Sequence, residues 1–258
     1  PTKPMNIFGP HWDNHWQRIK EHWLSTVTDE DIIFLVGDMS WALRLDEALY
    51  DLREIASLSG QKFMIRGNHD YWWSSANKMK NAMGDAITFL QGHGTARIIN
   101  LTTNEDSNDD AENSEHTQGE SQLILAFGGT RGYICPDDAN FKPDTDQSIY
   151  DREVMRTEAA LQEMEQSIQA LQKKYAETEN TSEPLPVKRI LLLHYPPFNE
   201  NNAPSGFTGL MERYHVDICI FGHLHDQISF KRIPSTFGTT KLELVSADYA
   251  EFKIQKIL

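Results

Sequence analysis

Runs of apolar residues alternate with amphipathic segments along most of the chain, and this pattern predicts the secondary structure. Runs rich in Ile, Leu, Val and Phe predict strands at residues 32–38, 62–70, 87–90, 96–101, 123–129, 189–197, 217–226, 227–233 and 241–245. Helical spacing of apolar residues predicts helices at residues 12–24, 46–58, 74–83 and 149–175, with a short helix near Leu210. The alternation of the two kinds of segment favours a layered α/β fold.

One segment interrupts the alternation. Residues 102–121 are polar and acidic and contain no Lys or Arg. Such a composition cannot bury enough apolar surface to order itself, so it predicts a solvated, mobile loop. We expect this loop to lie within a single domain that spans residues 1–258.

Charge and composition narrow the possible functions. The chain has 258 residues, 39% of them hydrophobic, which is enough for a substantial core. The net charge of −14 argues against a general nucleic-acid or anionic-membrane surface. No apolar run approaches the roughly 20 residues that span a bilayer, and the N-terminus lacks the pattern of a signal peptide. We therefore expect a soluble, cytoplasmic protein, and its oligomeric state stays open.

Four predicted strands end on residue types that bind metals. These ends are Asp38, residues 68–70, His194, and the pair His223 and His225. Each has an ordinary explanation by itself, because GD is a common turn and a histidine after an apolar run is often a core residue. In an α/β sheet, however, the carboxyl ends of parallel strands share one edge, where ligand sites form. Together, the four strand ends indicate a ligand-binding site at this edge of the sheet.

The residue types suit a centre with two divalent ions. Such a centre needs a bridging carboxylate, for which Asp38 is suited, and neutral nitrogen or oxygen ligands to complete each shell. The candidates for these terminal positions are Asn68, His194, His223 and His225. Oxygen and imidazole ligands suit manganese, iron, zinc or cobalt.

The residues beside Asn68 suit proton transfer. His69 follows that candidate ligand and is a candidate to protonate a leaving alkoxide. Asp70 is then a candidate to orient the His69 imidazole and to stabilise its charge. We therefore predict His69 and Asp70 as catalytic residues.

The motifs resemble those of the calcineurin-like metallophosphoesterases. GD at 37–38, GNHD at 67–70, the strand-terminal His194 and GHLH at 222–225 occur in the family's order, and they cover most of the chain. The resemblance implies a four-layer α-β-β-α sandwich of two mixed sheets flanked by helices. It also implies a metal-dependent phosphoesterase in which a metal-bound hydroxide attacks phosphorus and His69 assists the leaving group.

The same resemblance implies the roles of the ligands. Asp38 would bridge two metal ions, Asn68, His194 and His223 would complete one site, and His225 would belong to the other. The stretch GDMSWA departs from the GDxxDRG pattern of the phosphoprotein phosphatases, which disfavours a phosphoserine/threonine phosphatase. Phosphomonoesters and phosphodiesters of small molecules remain as substrates, and a nuclease is disfavoured by the acidic balance. The runs KPMNIFGPHW, GDMSWAL and GNHDYWWSS are similar to a bacterial subgroup of largely uncharacterised members.

The family's opening strand, which ends in D-x-H, has no clear counterpart. Asp13-Asn14-His15 matches the letters, but it follows GPHW and lies on a predicted amphipathic helix. We therefore expect that this strand is missing, that the chain holds one ion firmly, and that its activity is impaired. The alternative is a non-catalytic binding or scaffold protein with a degraded metal centre.

Arg131 and three consecutive aromatic residues are candidates to contact the substrate. Arg131 follows a predicted strand, where its guanidinium would reach a phosphate or form a structural ion pair. Tyr71, Trp72 and Trp73 would form a platform for a flat group, or they would pack in the core.

Overall fold

A computed structural model describes residues 5–102 and 120–258, so most of the predicted acidic loop, residues 103–119, lies outside the described residues. The strands are β1 (Ile32–Leu35), β2 (Gln61–Ile65), β3 (Ile87–Leu90), β4 (His93–Thr102), β5 (Glu120–Thr130), β6 (Val187–Leu193), β7 (Ile218–Phe221), β8 (Thr236–Phe237) and β9 (Thr240–Leu244). The α-helices are α1 (His15–Thr26), α2 (Leu45–Ala56), α3 (Ala76–Met83), α4 (Pro143–Glu179), α5 (Gly206–Arg213) and α6 (Gln227–Arg232). Short 3₁₀ helices cover Met5–Phe8 and Pro10–Trp12.

The strands form two sheets. The first has the order β1-β2-β3 and is parallel throughout, with Leu35 opposite Met64 and Ile65 opposite Leu90. The second has the order β4-β5-β6-β7-β9-β8 and is mixed, because β4 and β8 run antiparallel to their neighbours. Strands β5, β6, β7 and β9 are parallel. Their carboxyl ends therefore lie along one edge of the sheet.

Three apolar clusters stack the elements into four layers. The cluster between the sheets contains Phe63 and Ile65 from the first sheet and Phe127, Ile190 and Ile220 from the second. A second cluster packs the outer face of the first sheet against α1, α2 and α3, and a third packs the outer face of the second sheet against α4 and α5. Burial of these faces on both sides of each sheet is the main stabilising contribution. The expected four-layer α-β-β-α arrangement is confirmed, but in the described residues only the second sheet is mixed, because all the strands of the first are parallel.

The structure corrects one predicted element. Residues 227–233 alternate apolar and polar side chains and were expected to form a strand, but Gln227–Arg232 is helix α6. The Asp226 carboxylate caps this helix by accepting hydrogen bonds from the backbone N–H groups of Ile228 and Ser229. This N-cap satisfies backbone donors that the first turn of a helix otherwise leaves unpaired, so local capping favours the helix over the alternating pattern. In the described parts of the chain, no helix is long and apolar enough to cross a membrane.

Candidate active site

Backbone packing at two glycines brings the ends of β1 and β2 together. A Cβ on Gly67 would overlap Asp38 Oδ1 and N and lie 2.7 Å from Asp38 Cγ. A Cβ on Gly37 would overlap the backbone of Gly67, and Gly37 itself has a φ of +95°. Asp38 also adopts the left-handed region, with a φ of 58°. The missing side chains let the Asp38 carboxylate approach the loop that carries Asn68.

Asp70 connects these two loops through their backbones. Its Oδ2 accepts hydrogen bonds from Asp38 N at 2.8 Å and Gly67 N at 2.7 Å, and its Oδ1 accepts one from Met39 N at 3.0 Å. Burial raises the pKa of this fully buried carboxyl to about 6, although the Gly67 hydrogen bond lowers it in part. Asp70 was expected to orient the His69 imidazole. The structure instead directs both of its oxygen atoms to backbone N–H groups, so Asp70 positions the loop around Asp38.

Four predicted ligands converge at the strand-end edge. His194 Nε2 lies 2.6 Å from Asn68 Oδ1 and 3.4 Å from Asp38 Oδ2. His223 Nδ1 lies 2.9 Å from the same Asn68 oxygen and 3.3 Å from His194 Nε2. Donor atoms around a divalent ion, each about 2.0–2.3 Å from it, are themselves about 3 Å apart. The separations in this cluster therefore match the edges of a coordination shell.

The tautomer of His194 supports a cation at this point. Its Nδ1 lies 2.8 Å from the Val36 carbonyl oxygen, which only accepts, so the proton resides on Nδ1. The Nε2 atom is then an acceptor that faces two further acceptors, Asn68 Oδ1 and Asp38 Oδ2, at the distances given above. Acceptors in mutual contact repel each other unless a proton or a cation lies between them. A divalent ion would convert this repulsion into coordination.

The imidazoles of His194 and His223 are in the neutral state that a metal ligand requires. Burial lowers the pKa of both His194 and His223 to about 3, so both imidazoles are neutral at pH 7. Burial raises the pKa of Asp38, and the neighbouring His69, His223 and His225 lower it in part. Within the described residues, no group of three or more His, Cys, Asp or Glu side chains is by itself arranged to hold a metal ion. The amide of Asn68 would therefore have to complete the shell of any ion held by Asp38, His194 and His223.

Asp248 is a candidate site residue that the sequence reasoning missed. It follows β9, and its Oδ1 lies 2.8 Å from Nδ1 of His225. The Asp248 side chain is 5% exposed, whereas that of His225 is 44% exposed. A carboxylate on one ring nitrogen fixes the imidazole and leaves the other nitrogen, Nε2, free to bind a ligand. The signal in the sequence was a further strand with an acidic residue shortly after its end.

The segment Asp13-Asn14-His15 lies near His225 without joining the cluster. Trp12 packs edge-on against His225, with ring centroids 5.6 Å apart, and His15 packs against Trp12 at the same distance. Asp13 is exposed, and His15 begins helix α1. The amphipathic helix is therefore present, but it begins at His15, and Asp13 precedes it instead of lying on it as the pattern predicted.

His69 lies beside the cluster between two aromatic side chains. Its backbone N–H donates to Asp38 Oδ1 at 2.7 Å. The Trp41 ring packs against the imidazole at 4.7 Å between centroids, and the Tyr71 hydroxyl lies 3.5 Å from Nδ1, at the outer limit of a hydrogen bond. These contacts hold the imidazole next to the candidate bridging carboxylate.

The three aromatic residues after Asp70 separate into core and surface. Trp72 is buried and donates from Nε1 to the Ser40 carbonyl oxygen, so it packs in the core. Tyr71 is 55% exposed, and Trp73 is half-buried. Both line a groove of about 570 Å³ that adjoins His69 through Tyr71. The other residues that line it are Arg44, Leu45, Asp46, Leu49, Trp72, Ser74 and Lys78.

Arg131 lies next to the cluster at the end of β5. Its carbonyl oxygen accepts hydrogen bonds from the backbone N–H groups of His194 and Tyr195 at 3.0 and 3.1 Å. The guanidinium is 5.4 Å from the Tyr133 ring centroid, and its Nη2 is 4.0 Å from Glu153 Oε1. The ion pair with Glu153 is therefore long, and it is the Arg131 backbone that contacts the backbone of His194.

Comparisons with known proteins identify the family. The sequence profile of the calcineurin-like phosphoesterases matches residues 10–227, a range that contains all the predicted ligands and His69. The crystal structure of the calcineurin-like phosphoesterase YfkN from Bacillus subtilis is similar to this chain, with 13% identity and a TM-score of 0.46. That alignment covers 95% of this chain and 75% of YfkN. None of the curated proteins compared with the chain matches it. By the extent of the profile match, the chain belongs to the calcineurin-like phosphoesterase family.

Proposed function

We propose that this protein hydrolyses a phosphomonoester or phosphodiester at the cluster formed by Asp38, Asn68, His194 and His223. Membership of a phosphoesterase family makes a hydrolase the expected class of activity. The four side chains would hold a divalent ion, and manganese, iron, zinc and cobalt all suit their oxygen and imidazole donors. The substrate would be a small molecule or another phosphoester.

The observation that carries this proposal is the convergence of acceptor atoms on one point. His194 Nε2 lies 2.6 Å from Asn68 Oδ1, and a proton on Nδ1, which faces the Val36 carbonyl, leaves Nε2 as an acceptor. A buried pair of acceptors is destabilising by itself, and a divalent cation between them would remove that cost. Neutral imidazoles, an amide oxygen and a carboxylate form the donor set expected for a hydrolytic metal site.

In the proposed reaction, water attacks phosphorus, and the bond from phosphorus to the leaving oxygen breaks. A divalent ion held by these residues would lower the pKa of a water molecule and would polarise the phosphoryl oxygen. His69 donates a proton to the leaving oxygen, so the product departs as an alcohol. Asp38 orients the His69 backbone through its 2.7 Å hydrogen bond, and Trp41 and Tyr71 restrict the imidazole on its two sides.

The donor count favours one firmly held ion and a second, weaker one. Four side chains meet at the first position. The second position would rely on Asp38 and on His225, which is held by Asp248. Because ligand number largely sets retention, the second ion would exchange more readily. Hydrolytic activity would then fall as the fraction of protein molecules without the second ion rises.

The groove beside Tyr71 would receive the leaving group. It adjoins the side of the cluster where His69 would donate its proton. Tyr71 and Trp73 present aromatic surface, and Lys78 and Arg44 present positive charge, although Asp46 lies 3.2 Å from Arg44 Nε. A planar leaving group fits this lining.

Hydrolysis of a panel of phosphomonoesters and phosphodiesters by manganese- or iron-loaded protein tests the proposal. We expect measurable turnover in the wild type, a loss of about 100- to 10,000-fold in kcat for His69→Ala, and no change for the exposed control Glu177→Gln on helix α4. An inactive wild type across the panel would favour the scaffold alternative. Activity that persists in both Asp38→Ala and His69→Ala would refute the assigned roles.

A further inference from the structure

The imidazole of His223 packs closely against the ring of Tyr195. The two ring centroids are 4.1 Å apart, and the ring planes are inclined at 42°. This separation is shorter than the distance of about 4.5–7 Å that is usual for aromatic pairs. Tyr195 is buried, and the His194 ring packs edge-on against the same imidazole, with centroids 5.1 Å apart. Two rings therefore confine the His223 side chain.

This confinement acts on the nitrogen that faces the candidate cluster. Nδ1 of His223 lies 2.9 Å from Asn68 Oδ1 and 3.3 Å from His194 Nε2. The lone pair of an imidazole nitrogen lies in the plane of the ring, so the nitrogen binds an ion well only when that plane passes through the ion. A close neighbour that prevents the ring from tilting therefore supports metal binding.

The backbone of His223 is strained. Its φ is 70°, a value that is uncommon for residues other than glycine. The backbone N–H of Leu224 donates a hydrogen bond to the Gly222 carbonyl oxygen at 2.9 Å, which closes a three-residue turn around His223. A positive φ at the centre of such a turn is the rare form of the γ-turn, and strain of this kind persists only where surrounding contacts hold it in place. The packing of Tyr195 on the imidazole is one such contact.

Tyr195 is itself held in a fixed position. Its backbone N–H donates a hydrogen bond to the Arg131 carbonyl oxygen at 3.1 Å. Pro196 follows it, and a proline restricts the residue before it to extended conformations. The Tyr133 ring packs against the Tyr195 ring, with centroids 5.7 Å apart. Tyr195 therefore presents its ring to His223 from a rigid part of the chain.

We propose that Tyr195 is a positioning residue for the first metal position. Its ring fixes the plane of the His223 imidazole, so that Nδ1 is directed at the ion. This inference rests on the proposed function, because it assumes that the cluster holds a metal ion, and it assigns the role to the ring and not to the hydroxyl group. Without the ring, the imidazole would tilt, the strained turn would relax, and metal affinity would fall.

The manganese affinity of matched variants tests this role. We would titrate chelator-treated wild type, Tyr195→Phe and Tyr195→Leu with manganese in a calorimeter. Tyr195→Phe keeps the ring and should bind the first ion within about threefold of the wild type, whereas Tyr195→Leu should bind it about 10- to 100-fold more weakly. Wild-type affinity in Tyr195→Leu, or equal losses in the two variants, would overturn the inference.

Phe207→Leu is a control that separates positioning from general stability. Phe207 is fully buried and packs edge-on against Tyr150 of helix α4, with ring centroids 5.4 Å apart. Its replacement should lower the urea concentration at the midpoint of unfolding of the chelator-treated protein and leave its manganese affinity unchanged. If Phe207→Leu weakened manganese binding as much as Tyr195→Leu, general destabilisation would explain the loss and the inference would fail.

The same titrations distinguish this inference from the proposed function. A wild type that binds manganese but hydrolyses no phosphoester would contradict the proposed function, and the difference between the Tyr195 variants would still support the positioning role. An active wild type whose manganese affinity is unchanged in Tyr195→Leu would contradict only the positioning role, and a wild type that binds no manganese would contradict both. Should Tyr195→Leu fail to fold, Tyr195→Met fills the space with a flexible apolar chain; it should show the same loss, and wild-type affinity in that variant would overturn the inference.

Discussion

Substitution of Gly67 by alanine tests whether close backbone packing positions the candidate ligand Asp38. An added Cβ would overlap Asp38 Oδ1 and N, and it would lie 2.7 Å from Asp38 Cγ. An ordinary carbon–carbon contact is about 3.5–4.0 Å, so even Asp38 Cγ, the most distant of the three atoms, would have to move by about 1 Å. The backbone nitrogen of Asp38 cannot rotate away as a flexible side chain could. The two loops must therefore separate.

The expected cost has a structural and a functional part. Overpacking of this kind destabilises a protein by about 1–3 kcal/mol, because neighbouring groups are forced from their preferred positions. Displacement of the Asp38 carboxylate should also weaken metal binding by about 10- to 100-fold. Gly209→Ala is the matched control, since nothing lies within 4 Å of a Cβ there. It lies in helix α5, where alanine should stabilise the protein by about 0.5–1 kcal/mol.

Urea unfolding of chelator-treated protein would measure the loss of stability, and titration with manganese would measure the loss of metal affinity. We expect the urea concentration at the midpoint of unfolding to be lower for Gly67→Ala than for the wild type, and to be unchanged or higher for Gly209→Ala. If Gly67→Ala matched the wild type in both stability and manganese affinity, the reasoning about the loop contact would be refuted.

Three further predictions concern other parts of the site. In chelator-treated protein, the raised pKa of Asp70, about 6, means that this carboxyl binds more protons in the native state than in the unfolded state between about pH 4 and 6, so its own contribution to the free energy of unfolding should fall by up to about 3 kcal/mol as pH rises through this window. The lowered pKa values of His194 and His223 act in the opposite direction in both proteins, so the effect is measured as the free energy of unfolding of wild type minus that of Asp70→Asn at the two pH limits; a difference that does not change with pH would contradict the prediction. Asp248→Ala should weaken binding of the second manganese ion by about 10- to 100-fold and leave the first unchanged, as measured by calorimetry; equal affinities for both ions in variant and wild type would exclude a role for Asp248. Tyr71→Ala should lower kcat/KM for an aromatic phosphomonoester by about 5- to 100-fold relative to glycerol phosphate, and a proportional loss on both would contradict a leaving-group platform.

The sequence was enough to predict which residues form the candidate cluster, but it was not enough to predict the hydrogen bonds that hold them in place. Strands ending at Asp38, Asn68, His194 and His223 were recognisable because apolar runs stop on metal-ligand residue types. Their convergence followed from a general property of parallel sheets, whose strands share a carboxyl edge. The four-layer fold followed from the family resemblance, and the alternation of segments pointed to its α/β class.

The unpredicted features depend on contacts between distant segments. Asp248 follows a strand but is separated from it by Val245, Ser246 and Ala247, and nothing local indicates that His225 will be its partner. The backbone partners of Asp70 lie in the loop after β1 and arise from the close approach at Gly67, which one sequence does not reveal.

The most direct test of the central claim is elemental analysis of the purified protein after manganese or iron loading, expressed as ions per chain. The account predicts at least one ion in the wild type, its loss in Asp38→Ala, and its retention in His69→Ala, because His69 is proposed to transfer a proton and not to bind the metal. No bound ion in the wild type, or an ion that Asp38→Ala retains, would contradict the proposed metal centre.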